Sequence, residues 1–301
     1  MLKQNQFEKY NIIKDHAGFT VEKYLKEVLH LSSRNIQKVT HAKGILIHNK
    51  VTFLNYILKI NDTLCVVMPK DTDYGVAPEN GLIEILYEDP DVIILNKPAF
   101  QLVHPAGNTQ NHTLANFLAY YFQSKNVLTT IRPLHRLDRD TSGCILFAKN
   151  SYTQTQLEKQ LKDRTLKRCY LALIQGNLEP HAGTIQQAIA KHPTKPNQRI
   201  VNANGDAAIT HYKTLQIYNE NCALLELNLD TGRTHQIRVH LSHLGHAIIG
   251  DKMYGTRSCL ITRQALHAHT IEFHHPKTNE RIKLCAPLPL DMQNLIHFYQ
   301  Q

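Results

Sequence analysis

The 301-residue sequence predicts a two-part protein of mixed helix and strand, on three observations. Helical spacing marks the early residues, β-rich runs dominate from Leu82 onward, and a stretch rich in Pro, Gly, Asp and Asn from Met68 to Gly81 separates them. This length suits one large domain plus a small one, since domains most often run roughly 100 to 150 residues. The expected division is a module at 1–75, a linker at 76–82 and a larger domain at 83–301.

In the small part, Val21, Leu25, Val28 and Leu29 fall at i, i+4, i+7 and i+8, the stripe of an amphipathic helix. SSRNIQKVTHAKG restarts the pattern, with Ser32 or Ser33 as N-cap and Gly44 as a stop. On this second helix Ile36 and Val39 can face a core. Arg34 and Lys38, four apart, share the other face and can both reach phosphates. ILIHNKVTFLNYILKINDTLCVV then reads as short strands. Two helices, a basic face, a Gly and strands in this order resemble the alpha-L RNA-binding motif, known from a small-subunit ribosomal protein.

Charge supports a polyanionic partner. The net charge is +9, and residues 1–70 hold eleven Lys or Arg against five Asp or Glu, so about two thirds of the surplus sits in under a quarter of the chain. Such cations gain by displacing counterions from a phosphate backbone. A hydrophobic fraction of 42% with 20% charged residues suits a globular protein and excludes a disordered one. No apolar run approaches the roughly 20 residues of a membrane helix, and a polar MLKQNQFEKYN follows Met1 where a signal peptide would be apolar, so a cytoplasmic location is expected. The six cysteines form no CxxC pair and read as free thiols.

In the larger part, LIEILYED and DVIILNKP read as strands, the run Val92–Leu95 being apolar enough for burial on both faces. HTLANFLAYYF reads as a helix. The informative segment is RPLHRLDRDTSGCILFAKN, where a buried strand from Cys144 to Ala148 follows a loop carrying His135 to Gly143. One carboxylate, Asp138, stands there between Arg136 and Arg139. A carboxylate among cations keeps its charge at neutral pH, and so can be a nucleophile, a metal ligand or half of a structural ion pair.

HRLDRDTSG resembles the signature of the RluA-type pseudouridine synthases, and four further stretches resemble the same family in order: LNKPAFQLVHP, LKRCYLALIQG, LDTGRTHQIRVHLSHLGHAIIGDKMYG, and QALHAHTIEFHHP with KLCAPLP. Together they cover about residues 82–290. The resemblance implies an α+β fold with a mixed, largely antiparallel central sheet, and an RNA pseudouridine synthase acting on ribosomal or transfer RNA. It implies Asp138 as catalytic aspartate, Tyr170 as the aromatic stacking on the target base, and Arg233 as the arginine pairing with Asp138. Arg136 matches the position that fills the space left by the extracted nucleotide, and His135 stands beside it. Phe100 replaces the family's usual Gly, Ala247 its usual Pro, and Arg168 a common Lys.

Converting uridine to pseudouridine breaks the bond from ribose carbon 1 to the base nitrogen, turns the base and bonds it back through carbon 5. Nothing is oxidised and nothing leaves. No cofactor is therefore expected, and the sequence offers no GxGxxG, phosphate loop or metal-spaced Cys set. An ionised Asp can attack covalently or remove a ribose proton. Arg233 would emerge between a strand, LLELNLD, and a helix, THQIRVHLSHLG, with a bidentate pair orienting Asp138. Extracting the stacked base costs a few kcal/mol. The expected partner is RNA, engaged by a monomer with no membrane and no nucleotide cofactor.

Other readings are weaker. His267 and His269 share a strand face and suggest zinc, but no Cys or carboxylate stands at ligand spacing, so no metal site is expected. A glycosidase would use two carboxylates; Asp140 qualifies by proximity, but it occupies the variable position of the motif and reads as a surface residue. The non-enzymatic alternative is an RNA-binding or ribosome assembly factor, against which Asp138, Tyr170 and Arg233 all argue by being present.

Overall fold

The computed structural model describes residues 7–68, 70–218 and 221–301; Pro69, in the separating stretch, lies outside them. The small part begins with β1 (Phe7–Asn11), followed by helices α1 (Val21–Glu27) and α2 (Ser33–His41). The Ser32 hydroxyl caps α2 by accepting from the Asn35 amide. Lys43 then turns the chain at a φ of 53° before Gly44, where an added Cβ would lie 3.1 Å from Val39 and Val67 side chains. The helix thus stops just short of the glycine, which serves close packing. Strands β2 (Ile45–Ile47), β3 (Lys50–Val51) and β4 (Thr63–Val67) complete an antiparallel sheet in the order β1-β4-β2-β3. Val21, Leu25, Ile36 and Val39 close its core, which leaves Arg34 and Lys38 exposed on α2.

The separating stretch is not slack. The Asp71 carboxylate accepts from both terminal nitrogens of Arg132 and from the Thr130 amide. Farther along, the Tyr74 carbonyl accepts from the Ile131 amide, and the Ala77 carbonyl from Asn116. Gly81 lies against the Phe117 ring, at 2.5 Å from any Cβ placed there.

The large part holds β5 (Glu84–Glu88), β6 (Val92–Lys97), α3 (Leu114–Ser124), β7 (Arg132–Pro133), β8 (Ser142–Ala148), α4 (Ser151–Lys162) and β9 (Lys167–Gln175). It continues with β10 (Ala182–Gln186), β11 (Ile189–Lys191), β12 (Arg199–Val201), β13 (Ile209–Tyr218), β14 (Cys222–Leu229), α5 (Gln236–His243), β15 (Leu266–His274), β16 (Arg281–Cys285) and α6 (Leu290–Gln300). The main sheet runs β10-β13-β14-β9-β15-β8-β6-β5, with β16 and β7 attached to β15 and β8. Every pairing along it is antiparallel except β15 with β8. The fold is α+β, with the mixed, largely antiparallel sheet that the resemblance implies.

Burial on both faces explains the apolar run in β6. Ile93 and Leu95 point to the core shared with α3, α5 and α6, while Val92 and Ile94 point to the core shared with Leu157 of α4. Gly143 opens β8 at a φ of 111°, and a Cβ there would sit 2.1 Å from the Ala268 carbonyl. Only glycine lets β15 come this close. Ala268 pairs with Gly143 on one side and Tyr170 on the other, so the register brings Tyr170 beside the loop that leads into β8.

Candidate active site

That loop, residues 134–141, forms the floor of a cleft of about 1430 Å³ lined by His135, Arg136, Asp138, Tyr170, Arg233 and Arg238 among others. Two buried cations fix its backbone. Lys97, with no exposed surface, donates to the carbonyls of Pro98, Gln101 and Arg139. Arg263, forked onto Asp291, donates to the carbonyl of Asp140. Burial pushes Lys97 down to about 7, with Asp140 and Asp138 opposing.

Asp138 meets an arginine, but not Arg233. Arg238 Nη1 donates to Asp138 Oδ2 at 2.9 Å, while Nε and Nη2 of the same guanidinium bond the two oxygens of Asp251 at 2.7 and 2.9 Å. Asp251 is wholly buried and also accepts from the amides of Met253 and Tyr254. Burial pushes its carboxyl up, but the Arg238 fork and the two amides outweigh this and hold it below its ordinary value. Arg238 is therefore clamped side-on by one carboxylate and presents its remaining edge to the other.

The expected pairing of Arg233 with Asp138 is corrected by this geometry. The Arg233 amide caps onto Gln236, its Nε donates to the Ala207 carbonyl at 3.0 Å, and its Nη1 lies 3.9 Å from Asp206. It lines the rim and is exposed. His235, at a φ of 59°, turns the chain into α5, and only after that turn does an arginine face the loop.

Tyr170 is 5% exposed, and burial pushes its phenol up, so the hydroxyl stays protonated at neutral pH. His135 Nε2 accepts from the Leu146 amide; burial, with Arg168 adding to it, pushes the ring down to about 3. Arg136 is exposed and donates to Thr234 across the cleft at 3.2 Å. Arg34 and Lys38 do not line the cleft. Asp140 is tied to Arg139 at 2.8 Å, an arrangement that suits a rim ion pair better than a second reacting carboxylate.

The cleft is cationic: Arg136, Arg139, Lys162, Arg164, Arg168, Arg199, Arg233 and Arg238 line it against Asp138, Asp140 and Asp230. Asp138 and the buried Tyr170 thus share one cationic cleft. The family model described as RNA pseudouridylate synthase matches residues 91–243. YhcT of Bacillus subtilis (strain 168), an uncharacterized RNA pseudouridine synthase, is 41% identical over 91% of both chains. The chain belongs to the RNA pseudouridylate synthase family. It is of the RluA type and an isomerase of uridine in RNA. A ribosomal large subunit pseudouridine synthase D of Pasteurella multocida (strain Pm70) is 37% identical over 77% of this chain and 75% of its own. Among solved structures, human RNA pseudouridylate synthase domain containing 1 matches with a TM-score of 0.58 at 26% identity, over 74% of this chain and 97% of that one.

The histidine-rich strand of the synthase has local partners. His267 bonds Ser142 and the Ala286 carbonyl, and His269 bonds that same carbonyl. His275 approaches Asp89 and Asp91, but its Nδ1 accepts from the amides of Lys277 and Thr278. Its ring proton is therefore on Nε2, which faces Asp89 at 3.1 Å, and no lone pair is left there for a cation. Lys277 pairs with Asp91 at 2.8 Å.

Sequence reasoning missed Arg238, Asp251, Lys97 and Arg263. Two of them had a signal: Arg238 stands between Ile237 and Val239 on an apolar helix, where a guanidinium needs an anionic partner, and Asp251 follows in GDKMYG.

Proposed function

We propose that the synthase isomerises uridine through Asp138, with Arg238 as the residue that positions the carboxylate and Tyr170 as the platform for the extracted base. The observation that carries this is the Asp251–Arg238–Asp138 relay, in which Asp138 is the carboxylate that opens on the cleft. Asp138 attacks the ribose or base, or takes a ribose proton, while Arg238 holds the carboxylate in place. The protonated phenol of Tyr170 suits stacking better than proton abstraction. Arg136, at the cleft mouth beside Thr234, is suited to occupy the gap left by the base, and His135 lines the wall behind it.

Ribosomal or transfer RNA is the proposed substrate, with large-subunit ribosomal RNA the first to test, since relatives such as the Pasteurella multocida protein carry that name. Arg34 and Lys38 on α2 are proposed to hold phosphates, in a module whose boundary falls near residue 69 rather than 75, because Asp71 bonds within the large part. A cytoplasmic monomer needing no metal or cofactor completes the reading; among the described residues no helix is long and apolar enough to cross a membrane.

Deleting the gene and mapping the lost pseudouridines identifies the target. Asp138→Asn should then show no turnover on that RNA, assayed in EDTA with no small molecule added, while still binding it. Measurable pseudouridine from this variant would refute the assignment.

A further inference from the structure

Arg238 occupies one oxygen of Asp138, and the other faces His235, a residue with no role so far. Nε2 of His235 lies 3.9 Å from Asp138 Oδ1, too far for a hydrogen bond. The state of that nitrogen follows from the bonds behind it. The Arg199 amide donates to the Tyr254 hydroxyl oxygen at 2.8 Å, so the single Tyr254 proton is free to go to His235 Nδ1, 2.9 Å away. Nδ1 accepts, and the neutral ring carries its proton on Nε2, toward Asp138. Burial pushes the His235 pKa down, Asp138 opposes, and Arg238 and Arg199 add to the lowering, so the ring stays neutral. His235 also holds a φ of 59°, a conformation Gly or Asn adopts more cheaply.

We propose that the gap between His235 Nε2 and Asp138 Oδ1 seats the 2′-hydroxyl of the target ribose, which donates to the carboxylate and accepts from the imidazole. An oxygen about 2.8 Å from each fits this 3.9 Å separation with roughly a right angle between the two bonds. A hydroxyl is the small group that supplies both a donor and an acceptor. Stereochemistry agrees: a carboxylate approaching carbon 1 from the face opposite the base passes the 2′-hydroxyl, which lies on that face. His235 thereby becomes a residue that touches substrate and reads RNA against DNA at the reacting nucleotide, and Tyr254 becomes a positioning residue that fixes its tautomer. The inference rests on Asp138 being the reacting carboxylate.

The test uses a synthetic hairpin of the mapped target sequence carrying uridine, 2′-deoxyuridine or 2′-O-methyluridine at the reacting position only. For the wild type, single-turnover rates should fall about 10- to 100-fold from uridine to 2′-deoxyuridine, the range of one charge-assisted hydrogen bond. The 2′-O-methyl substrate, which keeps the acceptor but loses the donor, should be at least as slow. His235→Asn accepts the same backbone but is too short to reach. It should lower the uridine rate and leave the 2′-deoxyuridine rate within about 2-fold, so that discrimination collapses. Tyr254→Phe keeps the ring over Arg238 and releases the tautomer, and should lose part of the discrimination; it carries the test if His235→Asn does not fold. Equal losses on uridine and 2′-deoxyuridine in both variants would overturn the proposal and leave His235 a structural residue. Turnover by Asp138→Asn would instead overturn the underlying reading, so the two failures are distinguishable.

Discussion

The floor of the cleft and its rim hold charge in opposite ways. On the floor, Arg238 and Asp251 are sealed from water, and all three nitrogens of the guanidinium bond carboxylate oxygens. On the rim, Arg136, Arg139 and Arg233 are exposed and bond a hydroxyl, an adjacent side chain and a backbone carbonyl. Geometry is fixed on the floor because a buried charge with a missing partner is costly. The rim supplies field and reach, which salt screens. Floor residues should therefore govern turnover and stability, and rim residues binding.

The largest break in this contrast is Arg238. Arg238→Ala leaves two carboxylates without their cation and should cost about 3–5 kcal/mol of stability as well as activity. Arg238→Lys keeps the charge but cannot fork between Asp251 and Asp138, so kcat should fall about 100-fold with KM little changed. Acid unfolding gives a second readout. The Asp251 pKa lies below its ordinary 3.8 in the folded protein, so its stabilisation is present above that value and is lost as pH falls through the folded pKa. Weakening the fork raises the folded pKa, so the acid transition of Arg238→Lys, followed by circular dichroism, should move to higher pH. A wild-type transition and kcat in this variant would show that the floor is not rigidly specified.

Arg233 sharpens the same contrast from the other side. Arg233→Lys should keep kcat within about 2-fold, and Arg233→Ala should raise KM about 3- to 10-fold at low salt with a defect that shrinks as salt rises. A severe kcat loss in Arg233→Lys would mean that this side chain swings onto the floor when RNA binds.

Why the sequence placed the wrong arginine on Asp138 is a matter of backbone direction. TGRTHQIR holds two arginines five residues apart, and pattern reading favours the one at the strand-to-helix junction. The left-handed turn at His235 re-aims the chain, and no residue type announces that turn as a glycine would. Asp138 and Tyr170 were named on the resemblance of HRLDRDTSG and LKRCYLALIQG, and the pairing of Ala268 with both Gly143 and Tyr170 is what brings the two segments together. Lys97 and Arg263 were not named, since each holds the loop from over 40 or 120 residues away through backbone carbonyls, which carry no sequence signature. The buried β6 run and the helix cap at Ser32 follow from local chemistry. The separating stretch misled in the other direction: Pro, Gly and Asp there suggest a loose connector, yet the Asp71 side chain and the Tyr74 carbonyl are bonded into the large part.

That stretch sets the smallest effect, and it separates grip from fold. Removing residues 1–69 takes away the module with Arg34 and Lys38 but leaves Asp71 bonded to Arg132 and the Tyr74 carbonyl bonded to the Ile131 amide. RNA affinity should weaken, and the slope of log K against log salt should shrink by roughly 0.7 to 0.9 for each phosphate that the shortened protein no longer neutralises. The thermal midpoint of the remaining domain should match that of the same domain after any other cut that spares Asp71. Removing residues 1–75 deletes those bonds too, and leaves the Arg132 guanidinium, with its side chain only 12% exposed, without its carboxylate. This longer truncation should melt at least about 4 °C below the shorter one, the shift expected for losing the four hydrogen bonds that Asp71 and Tyr74 accept from Arg132, Thr130 and Ile131 in a domain of this size. Its salt slope should differ from that of the shorter truncation by no more than the one phosphate contact that the exposed Lys70 could make. Equal melting temperatures for the two truncations would show that residues 70–75 are the slack connector their composition suggests. An unchanged salt slope in both would show that the basic face of α2 takes no part in holding RNA.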